Sequence, residues 1–154
     1  MADIYTQFSE GLTVTKRDIK WIKEKIAYFE NPPDPDGDPD KWKEFLAECE
    51  AYDLMDPEER ESGLEFEVQY FETQVIFYSE DQGDPWHVAT LVQNLFRKYY
   101  PDACFTLNWA GTCSKPRAGE FDGGGLFVTA TDIEHLNVAE WLHKKVKEFG
   151  GKER

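Results

Sequence analysis

Apolar and polar positions mark out nine stretches of the chain. Ile4, Thr6 and Phe8 share one side of an extended run over residues 4–14, which reads as a first strand. Thr15 then suits a helix N-cap. Ile19, Ile22, Ile26 and Phe29 follow at helical spacing, with Lys20, Lys23 and Lys25 on the outward side. Asn31-Pro32-Pro33 stops that helix, because proline lacks an N–H and clashes with the preceding turn. Residues 31–40, NPPDPDGDPD, form an acidic turn-rich segment. Asp40 is the expected cap of a second helix, whose stripe is Trp42, Phe45, Leu46, Cys49 and Tyr52. Residues 55–63, MDPEERESG, end this insert in a loop or a short helical turn.

Leu64, Phe66, Val68 and Tyr70 alternate with Glu65, Glu67 and Gln69, the signature of a half-buried strand. After a break at Glu72-Thr73, residues 74–79 read as its hairpin partner. Asp84 followed by Pro85 marks the start of a third helix. Its buried stripe is Val88, Leu91, Val92, Leu95, Phe96 and Tyr99, and Pro101 ends it. Phe105, Leu107 and Trp109 alternate in a further strand, and residues 126–130 read as the return strand. Residues 131–135 read as a tight turn. Asn137, with Glu140 three positions on, has the form of a capping box for a last helix. That helix is expected to bury Val138, Trp141, Leu142, Val146 and Phe149.

The resulting order is β-α-(α)-β-β-α-β-β-α. It predicts an α+β two-layer sandwich, an antiparallel sheet with helices on one face. This is a variant of the ferredoxin-like, split βαβ plan with an acidic helical insert at about residues 30–63. The 154 residues are expected to form a single domain.

Charge changes the functional picture. The chain carries a net charge of −14. Residues 30–62 hold thirteen Asp or Glu against Lys41, Lys43 and Arg60, so this segment supplies −10 of the total. Such a balance opposes direct nucleic-acid binding, in which Lys and Arg neutralise phosphate. It favours a basic protein partner. Asp34, Asp36, Asp38, Asp40, Glu44 and Glu48 are the candidate acidic surface. No apolar run reaches 18 residues, so no membrane span is expected, and the N-terminus lacks the pattern of a secretory signal. Three cysteines without a C-x-x-C pair fit reduced thiols, and together these features point to the cytoplasm.

Metal and cofactor chemistry finds little purchase. With Gly37 at the sixth position of a calcium loop, Asp34 and Asp36 fall on ligand positions, but Pro32 and Lys43 occupy two others. His87, His135 and His143 lie in different elements. No metal and no cofactor is therefore expected.

The densest chemistry lies in Trp109 to Gly125, WAGTCSKPRAGEFDGGG. Lys115 and Arg117 flank the thiol of Cys113, an arrangement that favours a thiolate, and could hold a phosphate or carboxylate. No Gly-Lys-Ser/Thr follows the glycines, so this is not a phosphate-binding P-loop. The glycines suit a close approach of backbone to another element, such as Trp109. Glu120 and Asp122 could neutralise the cations. No catalytic acid–base set emerges.

YTQFS at residues 5–9 and W-x-x-T-C-S-K-P-R-x-G-E-F-x-G-G-G at 109–125 together resemble a family of small, uncharacterised bacterial proteins, often encoded on phages, plasmids and other mobile elements. The acidic segment is longer than in that family pattern, so a family role need not involve it. The resemblance implies that the hairpin tip is a recognition surface formed by Trp109, Thr112, Cys113, Ser114, Lys115, Arg117, Glu120 and Phe121. Two functional expectations follow. The first is a non-enzymatic acidic protein, monomeric or a small homo-oligomer, that binds and inhibits a basic host protein by standing in for a polyanion. The second is a nucleotide-like ligand site or enzyme centred on the TCSKPR loop.

Overall fold

The computed structural model describes residues 2–54 and 63–152. The expected loop at residues 55–62 lies outside them. The chain runs β1 (Ile4–Thr13), α1 (Lys16–Glu30), α2 (Pro39–Ala51), β2 (Glu67–Tyr70), β3 (Gln74–Ser79), α3 (Pro85–Tyr99), β4 (Cys104–Cys113), β5 (Asp122–Thr129), β6 (Ile133–Asn137) and α4 (Val138–Phe149). The fold is α+β. Six strands form one sheet in the order β2-β3-β1-β4-β5-β6, and each neighbouring pair is antiparallel. Its first four strands reproduce the split βαβ plan, with β3 between β1 and β2, and β1 between β3 and β4. β5, β6 and α4 extend that unit on one side.

Alternation puts Phe8, Val75, Phe77, Phe105, Leu107, Leu126 and Val128 on one face, each at most 6% exposed. Ile22 and Phe29 of α1 and the Val88, Leu91, Val92, Leu95 and Phe96 stripe of α3 join them in one core. The opposite face presents Ser9, Gln69, Thr106, Asn108 and Phe127 to solvent. Antiparallel sheets tolerate such one-sided exposure.

Local chemistry sets the helix ends. Thr15 caps α1 by accepting from the Asp18 N–H, and Asp18 returns the bond to the Thr15 N–H. Asp84 caps α3 with Pro85 at the first position. α2 starts earlier than expected. Asp38, not Asp40, accepts the Lys41 N–H at 3.1 Å, because Pro39 suits the first helical position and moves the cap one residue before it. Phe45, Cys49 and Tyr52 turn inward as expected, whereas Leu46, at the edge of the stripe, is exposed. Lys25 is not outward: it bonds Glu48 of α2 at 3.1 Å and is largely covered.

Three further expectations are corrected. Leu64 is buried but lies off the ladder, and β2 begins only at Glu67, because the Glu65 N–H is committed to His87. The turn expected at residues 131–135 comes earlier. The Thr129 N–H bonds the Asp132 carbonyl at 2.9 Å, and residues 133–137 pair with β5 as a sixth strand. Most consequentially, α4 buries none of its residues. Val138, Trp141, Leu142 and Phe149 are exposed and Val146 only half-buried.

Candidate functional site

Strand pairing claims more of residues 109–125 than expected. β4 runs on to Cys113 and β5 begins at Asp122, not Leu126, which leaves only residues 114–121 as loop. The three glycines pair with Ala110, Trp109 and Asn108. A Cβ on Gly124 would lie 2.5 Å from the Leu136 carbonyl oxygen and 2.6 Å from Trp109 Nε1. The indole therefore rests on that glycine, which is why a side chain is missing there. Asp122 does not neutralise the loop cations. Its Oδ1 accepts from Gly123 and Ala139 N–H groups at 2.8 and 3.3 Å, and its Oδ2 accepts from Asn137 Nδ2 at 3.2 Å. It ties the hairpin to the start of α4.

Other motif residues also hold the frame. The Ser114 N–H donates to the Asp3 carbonyl and its hydroxyl accepts from the Asp3 N–H, each at 2.8 Å. Thr112 donates to Gln7 Oε1 at 3.2 Å. Cys113 is half-buried opposite Ile4 in the ladder. Neither His87 nor His135 serves it: the former sits in the α3 start and the latter stacks edge-on with Trp86 at 5.2 Å. Lys115, Arg117 and Phe121 project at the tip, and Glu120, half-buried, bonds back through its N–H to the Arg117 carbonyl. Among the described residues no ion pair involves Lys115 or Arg117.

The acidic segment is less free than its composition suggests. Asp34 accepts the Asp36 N–H at 3.0 Å, Asp38 caps α2 and Glu48 pairs with Lys25. Asp36, Asp40 and Glu44 remain open to solvent.

Folding assembles a second acidic set that lies apart in the chain. A groove of about 590 Å³ is lined by Glu30 from the end of α1, Glu65 and Glu67 from β2 and its approach, and Glu80 and Asp81 after β3. Its walls are held by backbone bonds. The Asp84 N–H donates to the Glu65 carbonyl at 2.6 Å, the Thr6 N–H to the Asp81 carbonyl at 2.6 Å, and the Ser79 hydroxyl to the Thr6 carbonyl at 3.1 Å. Two neighbouring tyrosines are shifted upward, in part by groove acids. Asp3, with burial and Asp81, pushes the Tyr5 hydroxyl pKa up. Burial, with Glu67 and Glu80, does the same to Tyr78. Sequence reading missed this groove. The β2–β3 hairpin could have revealed it, since pairing Glu67 with Tyr78 brings Glu65 and Glu67 beside Glu80 and Asp81.

Beside the groove, Glu65, Asp84 and His87 offer ligand atoms within 4.8 Å of one another. The histidine chemistry does not suit a metal. His87 Nδ1 accepts the Glu65 N–H at 3.0 Å, which places the ring proton on Nε2, 3.4 Å from Asp84 Oδ2. A metal at Nε2 would need that proton on Nδ1, where the Glu65 N–H already points.

A second cavity of about 590 Å³ opens where β1 and β4 part beyond Gln7 and Ala110, lined by Leu12, Thr13, Phe96, Tyr100 and Cys104 among others. Glu10 bridges the gap by accepting the Asn108 N–H at 3.3 Å. No helix among the described residues is long and apolar enough to cross a membrane. No family model, curated protein or solved structure matches the chain. Function is therefore read from the sites themselves.

Proposed function

We propose that this chain is a non-enzymatic acidic interaction protein that binds a basic protein surface of the kind that otherwise holds nucleic acid. The groove carries this reading: five acidic residues from three separated parts of the chain line one cleft whose walls are tied by backbone hydrogen bonds. The net charge of −14 steers such a partner in. The same charge repels nucleic acid itself. Asp36, ahead of α2, and Asp40 and Glu44 of α2 add further exposed acidic surface. The resemblance to proteins of mobile elements makes a host nucleic-acid-binding defence protein the partner class to test first.

The test uses a fluorescent arginine- and lysine-rich peptide and two variants of equal net charge. One neutralises the groove (Glu65→Gln, Glu67→Gln, Glu80→Gln, Asp81→Asn). The other neutralises the insert (Asp34→Asn, Asp36→Asn, Asp40→Asn, Glu44→Gln). The groove variant is expected to lose about tenfold in affinity at physiological salt, roughly 1.4 kcal/mol, and the insert variant much less. Equal losses in both would reduce the effect to bulk charge and sink the groove reading.

A further inference from the structure

We infer that the gap between β1 and β4 is a strand-addition site, which takes an extended segment of a partner protein, alternately apolar and free of acidic residues. The two strands pair only from Ile4 opposite Cys113 to Gln7 opposite Ala110. The Ser114 N–H bonds the Asp3 carbonyl, so every second residue from Asp3 turns its N–H and carbonyl toward β4. Continued at that register, the next rung would join Ser9 to Asn108. That rung is missing. The Asn108 N–H goes instead to Glu10 Oε1 at 3.3 Å, so a side-chain carboxylate stands where a strand carbonyl is due. β1 meanwhile stays paired with β3 over residues 8–13, and the gap opens on its other side.

The gap therefore has two rims of backbone groups. On β1 the Val14 N–H bonds Thr73 on the β3 side, so alternation turns Ser9, Gly11 and Thr13 the other way. On β4 the Asn108 N–H points into the gap, so those of Thr106 and Cys104 do too. Among the described residues no hydrogen bond engages the gap-facing backbone of Gly11, Thr13, Cys104 or Thr106, and all four are exposed. The cavity of about 590 Å³ behind the rims includes Leu12, Leu95, Phe96 and Phe105 in its lining. The rims decide the occupant. Only an extended chain carries N–H and carbonyl groups at the two-residue repeat of a strand, on both of its edges. β1 and β4 are antiparallel, so the segment runs parallel to one and antiparallel to the other. Alternate side chains of it then meet the apolar lining. A net charge of −14, with Glu10 at the first open rung, disfavours an acidic segment. A small apolar ligand could fill the cavity but would leave the rims without partners. This inference is independent of the acidic groove.

The probe is a fluorescent peptide of about seven residues, alternating valine and threonine with a lysine at each end. Fluorescence anisotropy with the full chain should give a dissociation constant on the order of 100 µM. Amide hydrogen exchange, read by nuclear magnetic resonance, should slow at Gly11, Thr13, Cys104 and Thr106 when the peptide binds. Thr106→Pro removes one rim N–H without touching the β5 ladder, and should weaken binding about tenfold. Thr106→Ala keeps that N–H and should bind as the wild type does. A peptide N-methylated at alternate residues removes the same class of bond without altering the protein, and should not bind. No binding of the unmodified peptide up to about 1 mM overturns the proposal. So does undiminished binding of the methylated peptide, or of the unmodified peptide to a folded Thr106→Pro protein. Protection confined to β2 or β6, the outer edges of the sheet, would place the peptide there and reject the gap.

Discussion

Single residues decide how closely the layers approach. Gly124 does so by absence, since the Trp109 indole and the Leu136 carbonyl occupy the space a side chain needs. Gly124→Val should therefore cost about 1–3 kcal/mol in urea unfolding. Gly125→Ala, where the nearest heavy atom would be 3.7 Å from the new Cβ, should be tolerated. The glycine run was visible in the sequence and so was its meaning, because glycines before a strand suggest close approach. Asp18 was not visible. It is fully buried, and it accepts the Thr15 N–H at 2.9 Å and the Tyr100 hydroxyl at 2.7 Å. Nothing at position 18 foretells a partner 82 residues away. Tyr52 offers a pH test. Burial holds its hydroxyl pKa above the ordinary value of 10.0. Below that value neither folded nor unfolded chain ionises, and stability is unaffected. Above it the unfolded chain loses a proton that the folded chain keeps, so stability falls with rising pH by up to about 1.4 kcal/mol per unit. Urea midpoints between pH 8 and pH 11 should drop less steeply in Tyr52→Phe.

At the scale of elements, helices and hairpins were legible where local chemistry rules. The Thr15, Asp84 and Asn137 caps, the α3 stripe and the β3 strand all lie where spacing put them. Misreadings share a cause: competition for a backbone group or an edge. β2 starts late because the Glu65 N–H goes to a histidine, and β6 was taken for a turn because its polar residues, Glu134 and His135, hide a ladder that only β5 supplies. α2 belongs to the acidic insert, yet the apolar stripe read from its spacing staples it to the core. Phe45 is fully buried, with ring centres of Tyr28, Phe29 and Trp42 at 5.5, 6.2 and 5.7 Å. Phe45→Ala should cost about 3–5 kcal/mol in global unfolding. A helix merely resting on the surface would instead be lost in a separate, earlier transition.

At the scale of the molecule, charge is segregated more sharply than composition implies. The acidic groove draws on Glu30, Glu65, Glu67, Glu80 and Asp81, and α4, with three lysines against two glutamates, stands on the β5–β6 extension. The sequence by itself determined the α+β class, the split βαβ order, most of the buried stripes and the sign of the charge. These follow from periodicity, capping and counting, which are properties of neighbours in the chain. Only the tertiary structure decided which acidic residues share a cleft, that Thr112, Cys113 and Ser114 serve the frame while Lys115 and Arg117 project, and that the apolar face of α4 is left open. An amphipathic pattern specifies that a face needs cover. Whether the chain itself supplies that cover depends on how its elements pack, which spacing along the sequence does not encode.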